Sequence, residues 1–298
     1  MRLLLPLFMI LLTAACQSVP ALPALPAWQS PEGLEHPDLG RIVDLRSGEQ
    51  ISPRRLLDDL AKVDQVLVGE RHDNPDHHAL QLWLLQALAQ RRAQGSLLLE
   101  MVNPDQQDKV AKVQALVDRG QWPADLPAAL DWQKGWEWRL YAPLVKHALA
   151  QPYPLLSANL DRAEIMRVYR RIPTLTGAAA DKNVQGVLLA QIRTSHCDLL
   201  PEKQLPAMLA VQQQRDLRMA EQLDAAPKPA MLVAGAFHVR RDLGVPLHLS
   251  SRDGNPATRV LMFAKVGDRV PADQADFVWF TPAQPQQDHC VELRKATE

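Results

Sequence analysis

The sequence predicts an α/β fold, with a mostly parallel sheet flanked by helices and an all-helical insertion or cap. Short apolar runs alternate with amphipathic helical segments over residues 41–161, which is typical of parallel strands covered on both faces. Residues 162–225 contain no strand candidate, and their helical stretches are interrupted by proline and glycine. The strand pattern returns over residues 226–298, so we expect one α/β core formed by two segments of the chain.

Each predicted element is justified by a local pattern. Asn74-Pro75 and Asn103-Pro104 each follow an apolar run, and they suit a helix start because asparagine accepts hydrogen bonds from free N–H groups and proline fits the first position. Helices are expected at about 53–62, 76–92, 104–119 and 136–150. Strands are expected at 42–44, 49–52, 66–68, 96–101, 154–159, 231–234, 259–263 and 277–280.

Polar side chains follow four of the predicted parallel strands. Glu70 and His72 follow the strand at 66–68, and Glu100 lies at the end of the strand at 96–101. Asn159 ends the strand at 154–159, and His238 follows the strand at 231–234. The carboxyl ends of parallel strands meet at one edge of a sheet, where ligands bind in open α/β folds. We therefore expect these five side chains to line one cleft.

The chemistry of this predicted cleft has two interpretations. Glu70, His72, Glu100 and His238 suit a divalent metal such as Zn, Mn, Fe or Co, and a glutamate beside a metal could act as a general base on bound water. Alternatively, the residues form a hydrogen-bonded polar cluster without a metal. We also expect Gly69, before Glu70 and His72, and Gly235, before His238, to let the backbone turn sharply at the strand ends.

The first 40 residues predict export and lipid anchoring. Residues 1–15 have the charged start, short apolar run and small-residue end of a signal peptide. Cys16 follows small residues as in a bacterial lipobox, where it would be acylated; the alternative is an ordinary secreted protein cut near Ala15. Pro20, Pro23, Pro26 and Pro31 make the start of residues 16–40 look like a stiff, extended tether. Gln17 favours an outer-membrane lipoprotein that faces the periplasm or the cell surface.

The bulk composition excludes some classes of partner. The formal net charge of -1 argues against nucleic acid and against electrostatic membrane binding, so membrane contact is expected through the lipid anchor alone. Cys197 and Cys290 could form a disulfide in an oxidising compartment. The alternative for Cys197 is a reactive or metal-ligating thiol.

The paired motifs resemble those of a known superfamily. Gly69-Glu70-Arg71-His72 and Gly235-Ala236-Phe237-His238, with Glu100 between them, resemble the Tiki/TraB/erythromycin-esterase superfamily. Within it, the chain is similar to the ChaN family of iron-regulated haem-binding lipoproteins, over about residues 40–270. Tyr141-Ala142-Pro143-Leu144 and the lipobox-like start agree with this resemblance.

The resemblance implies a haem-binding role in haem or iron uptake at the outer membrane. It implies haem held by the helical part, in some arrangements between two subunits, with tyrosine as iron ligand and histidine nearby. The chain has three tyrosines, and Tyr169 lies in the insertion, although it could also be a packing residue. The candidate haem-binding residues are therefore Tyr169, His196, Arg170, Arg171 and, less favoured, Tyr141, with the arginines facing the propionates.

A metal-dependent hydrolase of the peptidase or esterase type is the second hypothesis. Glu70, His72, Glu100 and His238 would then be catalytic, as in the hydrolytic branches of the superfamily. The carrier hypothesis is favoured because the resemblance to ChaN is closer. Its expected partners are haem, an outer-membrane haem receptor or uptake machinery, and a second copy of the chain.

Overall fold

The computed structural model describes residues 21–249, 257–286 and 290–291. The predicted signal peptide and Cys16 lie outside these residues. In the described part, the strands are β1 Ile42–Asp44, β2 Glu49–Ile51, β3 Gln65–Glu70, β4 Ser96–Leu99, β5 Leu155–Ser157, β6 Ala230–Gly235, β7 Thr258–Lys265 and β8 Phe277–Thr281. The α-helices are α1 Pro53–Leu60, α2 Pro75–Ala89, α3 Gln107–Val117, α4 Leu126–Leu130, α5 Trp138–Leu149, α6 Arg162–Arg170, α7 Lys182–Ser195, α8 Leu205–Ala225 and α9 Ala236–Val239.

The described strands form one eight-stranded sheet in the order β2-β1-β8-β7-β3-β6-β4-β5. The six strands from β8 to β5 are parallel, and β1 runs antiparallel to both β2 and β8. This confirms the predicted α/β class with a mostly parallel sheet. The chain leaves β3 towards β4 on one side and leaves β7 towards β8 on the other. The neighbouring strands β3 and β7 therefore flank a topological switch point, where α/β folds open a ligand crevice.

The predicted helix starts are present at both Asn-Pro pairs. The Asn74 side chain accepts hydrogen bonds from the backbone N–H groups of Asp76 at 2.9 Å and His77 at 3.4 Å, and Pro75 occupies the first helical position of α2. Asn103 opens a short 3₁₀ turn, Pro104–Gln106, that leads into α3. These caps fix where each helix begins relative to the strand before it, and so position the residues between them.

Apolar residues cover both faces of the sheet. One face, which includes Val66 and Val68, packs against α1, α2, α3 and α5. The other face, which includes Leu67 and Leu232, packs against Met219 in the second half of α8. Alternate residues of a strand point to opposite faces, so one apolar strand serves both layers.

The stretch expected to be an insertion is helical and contains no strand. Its first helix, α6, and its second, α7, both pack against α8. A small apolar cluster that includes Leu188, Ile192 and Leu209 joins α7 to α8. The second half of α8 also covers the sheet, so this last helix of the stretch belongs to the α/β core as well. Cys197, just after α7, forms a disulfide with Cys290.

Part of the segment expected to be a tether lies against the body of the protein. Trp28 packs beside the main apolar core. The backbone N–H groups of Gln29 and Ser30 donate to the buried Asp76 carboxylate at 2.7 and 3.0 Å, and Trp83 donates to the carbonyl of Pro23 at 2.9 Å. Residues 22–32 are therefore held by specific contacts. No helix within the described residues is both long and apolar enough to span a membrane.

Candidate functional site

The sheet brings the predicted cleft residues to one edge, where four of them, Glu70, His72, Glu100 and His238, form the cleft cluster. Glu70 is the last residue of β3 and pairs in register with Gly235, the last residue of β6. Glu100 follows β4 directly, and His238 lies in the short helix after β6. His72 remains partly open, with 41 % of its side chain exposed, whereas the other three are buried.

One half of the cluster is centred on the Glu70 carboxylate. Its Oε1 accepts a hydrogen bond from the Tyr141 hydroxyl at 2.6 Å and lies 2.8 Å from His72 Nδ1. Its Oε2 accepts a hydrogen bond from Gln81 and lies 3.4 Å from His78 Nδ1. Helices α2 and α5 thus supply three partners that hold this carboxylate in place.

The other half is centred on the Glu100 carboxylate. Its Oε2 accepts a hydrogen bond from the Gly235 backbone N–H at 2.7 Å, and its Oε1 lies 3.4 Å from His238 Nε2. On its other side, His238 Nδ1 lies 2.5 Å from the fully buried Asp216 of α8. Asn159 donates to the backbone carbonyl of Glu100 at 2.9 Å, so its amide braces the strand end.

His72 connects the two halves. Its Nδ1 is held by Glu70, and its Nε2 lies 3.9 Å from Glu100 Oε2. The ring of Trp136 meets the His72 ring edge-on, with 4.8 Å between the centroids. The result is an array of alternating carboxylates and imidazoles that runs from α5 to α8, joined by hydrogen bonds within each half and by the longer His72–Glu100 contact between them.

The carboxylates of the array are held in their ionised form. Burial alone would raise the pKa of Glu70, but the neighbouring His78 and His72 outweigh it and lower that pKa to about 2. Burial also opposes ionisation of Glu100, yet His238 and the other partners hold its pKa well below the usual range. Both glutamates therefore carry negative charge in the folded protein.

Three other buried groups of the cluster, His238, Asp216 and Tyr141, have raised pKa values. Burial would lower the pKa of His238, but Glu100 and Asp216 outweigh it and raise that pKa to about 10. Burial raises the pKa of Asp216 to about 6. Burial and the adjacent Glu70 charge raise the pKa of the Tyr141 hydroxyl, so Tyr141 is a neutral hydrogen-bond donor.

The two glycines of the motifs have a different role from the predicted one. Neither has a positive φ, so a sharp turn is not the reason for glycine. A Cβ on Gly69 would lie 2.5 Å from Val239 Cγ2, and one on Gly235 would lie 2.8 Å from His72 Nε2. Glycine is required because other atoms approach the backbone closely at both strand ends.

The structure does not support the divalent-metal hypothesis. Within the described residues, no group of three or more His, Cys, Asp or Glu side chains is arranged to hold a metal ion. The reason is that Glu70, Glu100 and His238 direct their polar atoms at protein partners instead of at a shared point. Within the described residues, these side chains are instead bonded to one another and to backbone groups.

The haem-binding candidates lie in three places. Tyr169 and Arg170 are on α6 and are followed by Arg171, which ends that helix. His196 ends α7, where its Nδ1 lies 2.8 Å from the carbonyl oxygen of Ile192. Tyr141, in contrast, belongs to the buried cleft cluster and is fully inaccessible to solvent.

Sequence reasoning missed Asp216 as a member of the cleft, although a signal was present. Asp216 lies one turn before Met219 and Ala220, on the buried stripe of α8. A carboxylate at helical spacing on an otherwise apolar stripe indicates a buried partner. Gln81 and Trp136 gave no comparable signal, because a polar residue on a core-facing helix and an aromatic residue in the loop before a helix are both common.

Sequence comparison places the chain in a family. Residues 56–249 match the family described as haem-binding uptake, Tiki superfamily, ChaN, and the chain belongs to it. No curated protein matches the chain significantly. A solved structure described as cofacial haem binding to ChaN of Campylobacter jejuni is 28 % identical, with a TM-score of 0.73; the match covers 80 % of this chain and 95 % of that one.

More distant structures also match. A succinoglycan biosynthesis protein has a TM-score of 0.44 at 12 % identity, with 71 % of this chain and 68 % of that one covered. The erythromycin esterase EreC, as an H289N mutant in its open conformation, has a TM-score of 0.37 at 13 % identity, with 82 % of each chain covered. These values are too low to support an inference about function.

Proposed function

We propose that this protein binds haem on the outer face of α6 and acts in haem or iron uptake. The observation that carries the proposal is the surface of the helical insertion, where large apolar side chains are exposed beside arginines. Met166 and Ile172 are 40 % and 51 % exposed, and Val187 and Leu199 of the α7 region are 44 % and 42 % exposed. Exposed apolar patches rimmed by charge mark binding surfaces.

A groove of about 770 Å³ runs along α6 and provides room for a flat ligand. No residue of this helix is buried. The groove is lined mainly by Arg162, Met166, Arg167, Arg170 and Arg171. Guanidinium groups match the geometry of the two haem propionates, and Met166 offers an apolar contact for the macrocycle.

Tyr169 is the favoured iron ligand. It is half-buried on the same helix as the arginines, and a tyrosine phenolate is an established ligand of haem iron. Tyr141 is less suited, because its hydroxyl is buried and donates to Glu70. His196 is the second candidate, since it is half-buried at the end of α7 in the same helical region.

The family and the N-terminal sequence support a proposal for the wider role. We propose that Cys16 is acylated and anchors the protein to the outer membrane, where it would exchange haem with a receptor or uptake machinery. The Campylobacter jejuni relative is described as binding haem cofacially. An exposed α6 surface would let two copies of this chain place their haems face to face, so a homodimer is part of the proposal.

An absorption titration of the purified protein with haemin tests the proposal. We expect a saturable, shifted Soret band at a defined stoichiometry. Tyr169→Phe should abolish the tyrosinate signature and weaken haemin binding at least about tenfold, which corresponds to roughly 1.4 kcal/mol. Tyr153→Phe is the matched control, because Tyr153 is buried near β5 and lies outside the insertion.

Tyr141→Phe separates the two ligand candidates. It removes the hydrogen bond to Glu70, so we expect lower stability but an unchanged Soret band. Loss of the Soret band in Tyr141→Phe, with an unchanged band in Tyr169→Phe, would indicate that haem binds in the cleft and not on α6. Absence of a saturable band in the unsubstituted protein would overturn the carrier proposal altogether.

A further inference from the structure

A second cavity lies at the switch point of the sheet, apart from the groove along α6. It has a volume of about 580 Å³ and opens between the ends of β3, β6 and β7. Gln191 of α7 and Gln212 of α8 cover it from the helical region. Cavities of this size and position in α/β folds commonly bind small molecules.

The floor of this cavity is the ordered polar array. Glu70, His72 and His238 all line it. Replacing a buried ion pair by well-packed apolar residues is often neutral or stabilising. Stability alone is therefore a weak explanation for an array of buried charges at this place. Its groups are held rigidly by Tyr141, Gln81 and the Gly235 N–H, which is the preorganisation that a binding site needs.

Positive charge predominates at the rim. Arg71, Arg240 and Arg269 line the cavity, with Asp268 as the acidic residue among them. Arg71 is half-exposed, and its nearest carboxylate, Asp73, is 3.7 Å away. Arg240 is held by two hydrogen bonds from its guanidinium to Asp242. Arg71 and Arg269 are therefore the rim cations best placed to meet an incoming anion.

One side of the cavity is apolar. Phe237, Met262 and Val270 line it. Phe237 is a large apolar side chain that is 37 % exposed, although it lies directly beside a charged cluster. The Arg240 guanidinium carbon lies over this ring, 5.5 Å from its centroid, which holds the ring against the rim.

From this arrangement we propose that the cavity binds a small amphiphilic anion. Its carboxylate or phosphate head group would meet Arg71, His72 and Arg269, and its apolar body would lie along Phe237, Met262 and Val270. The residues differ from those of the α6 groove, so this site is additional to the proposed haem site and does not depend on it.

Calorimetric titration with three matched probes tests the inference. Octanoate, octyl phosphate and octanol share an alkyl chain and differ in the head group. We expect saturable binding of at least one of the two anions, and binding of octanol at least about tenfold weaker. The comparison of octanoate with octyl phosphate then tells which head group the site prefers.

Two variants locate the binding. Arg269→Ala should weaken anion binding at least about fivefold and leave the haemin titration unchanged. Arg119→Ala, a change of an exposed arginine near the end of α3, should alter neither. Thermal unfolding of Arg269→Ala should match that of the unsubstituted protein, because the side chain lies at the rim of the cavity.

Several results would overturn the inference. These are equal binding of octanol and the anions, no saturable binding of either anion at millimolar concentration, and no effect of Arg269→Ala. Displacement of haemin by octanoate, together with weaker haemin binding in Arg269→Ala, would also overturn it, because haem itself would then occupy the cavity. Failure of the haemin titration alone leaves the inference standing.

Discussion

The cleft cluster and the α6 surface both contain charged side chains, but those of the cleft are buried and paired, whereas those of α6 are exposed. In the cleft, Glu70 and Glu100 are buried, and each has several protein partners. On α6, Arg167 and Arg170 are exposed along an open groove. Changing a buried charged group should therefore cost stability, whereas changing an exposed one should affect ligand affinity alone.

The largest expected effect comes from breaking the cleft cluster. Glu70→Ala leaves Gln81, Tyr141 and His72 without their shared acceptor. Removing one partner of a buried pair costs about 3–5 kcal/mol, so we expect the free energy of unfolding to fall by that amount. Denaturant titration followed by circular dichroism measures it.

The control for this change is Glu35→Ala, which removes an exposed carboxylate. Its effect should stay within about 0.5 kcal/mol. A loss below about 1 kcal/mol in Glu70→Ala would show that the cluster is not the rigid, fully paired network that the geometry describes.

The second prediction uses pH to test the same cluster. The folded-state pKa of His238 is raised to about 10, above its ordinary value of 6.5. Its contribution to stability is therefore complete below pH 6.5 and is lost as pH rises through about 10. Between these values the free energy of unfolding should fall with a slope approaching about 1.4 kcal/mol per pH unit from this group.

His238→Gln should flatten that slope, whatever its effect on absolute stability. The measurement is denaturant unfolding at several pH values from 6.5 to 10, with the unsubstituted protein alongside. His147→Gln is the matched control, because burial lowers the pKa of His147 and the residue is neutral across this window. Equal slopes for His238→Gln and the unsubstituted protein would contradict the proposed charge pairing with Glu100 and Asp216.

Most of the fold could be predicted from local patterns. Apolar runs and the Asn-Pro helix starts located the strands and helices to within a few residues, because buried strands and capped helices have strong local signals. The gathering of Glu70, Glu100 and His238 also followed, since parallel strands share a carboxyl edge. The first inference needed only the pattern along each element, and the second added the rule that parallel strands end at one edge.

The parts that could not be predicted depend on tertiary packing. Tyr141 reaches Glu70 across 71 positions of sequence, and Asp216 reaches His238 across 22. Residues 22–32 have the composition of a tether, yet contacts from Asp76 and Trp83 hold them on the body. No local pattern records which distant partner a side chain will meet.

A third prediction concerns close packing behind the cleft. A Cβ on Gly69 would lie 2.5 Å from Val239 Cγ2 and 3.2 Å from the backbone Cα of Ala236. We expect Gly69→Ala to destabilise the protein by about 1–3 kcal/mol, as for other cases of overpacking. Denaturant unfolding measures the change.

The matched control is Gly186→Ala on α7, where an added Cβ would have no neighbour within 4 Å. Because alanine favours a helix more than glycine does, this control should stabilise the protein by about 0.5–1 kcal/mol. Similar effects of the two substitutions would show that the approach of α9 to β3 is looser than the contacts indicate.

The smallest expected effect lies on the α6 surface. Arg170→Ala removes one exposed cation from the groove without breaking a buried contact. Exposed ion pairs contribute about 0.2–1 kcal/mol, so haemin affinity should fall by up to about fivefold, with unchanged stability. In 0.5 M NaCl the difference from the unsubstituted protein should shrink, because salt screens exposed charges. Arg119→Ala should change neither affinity nor its salt dependence, and an equal effect of both variants would mean that overall charge, not the α6 groove, attracts haemin.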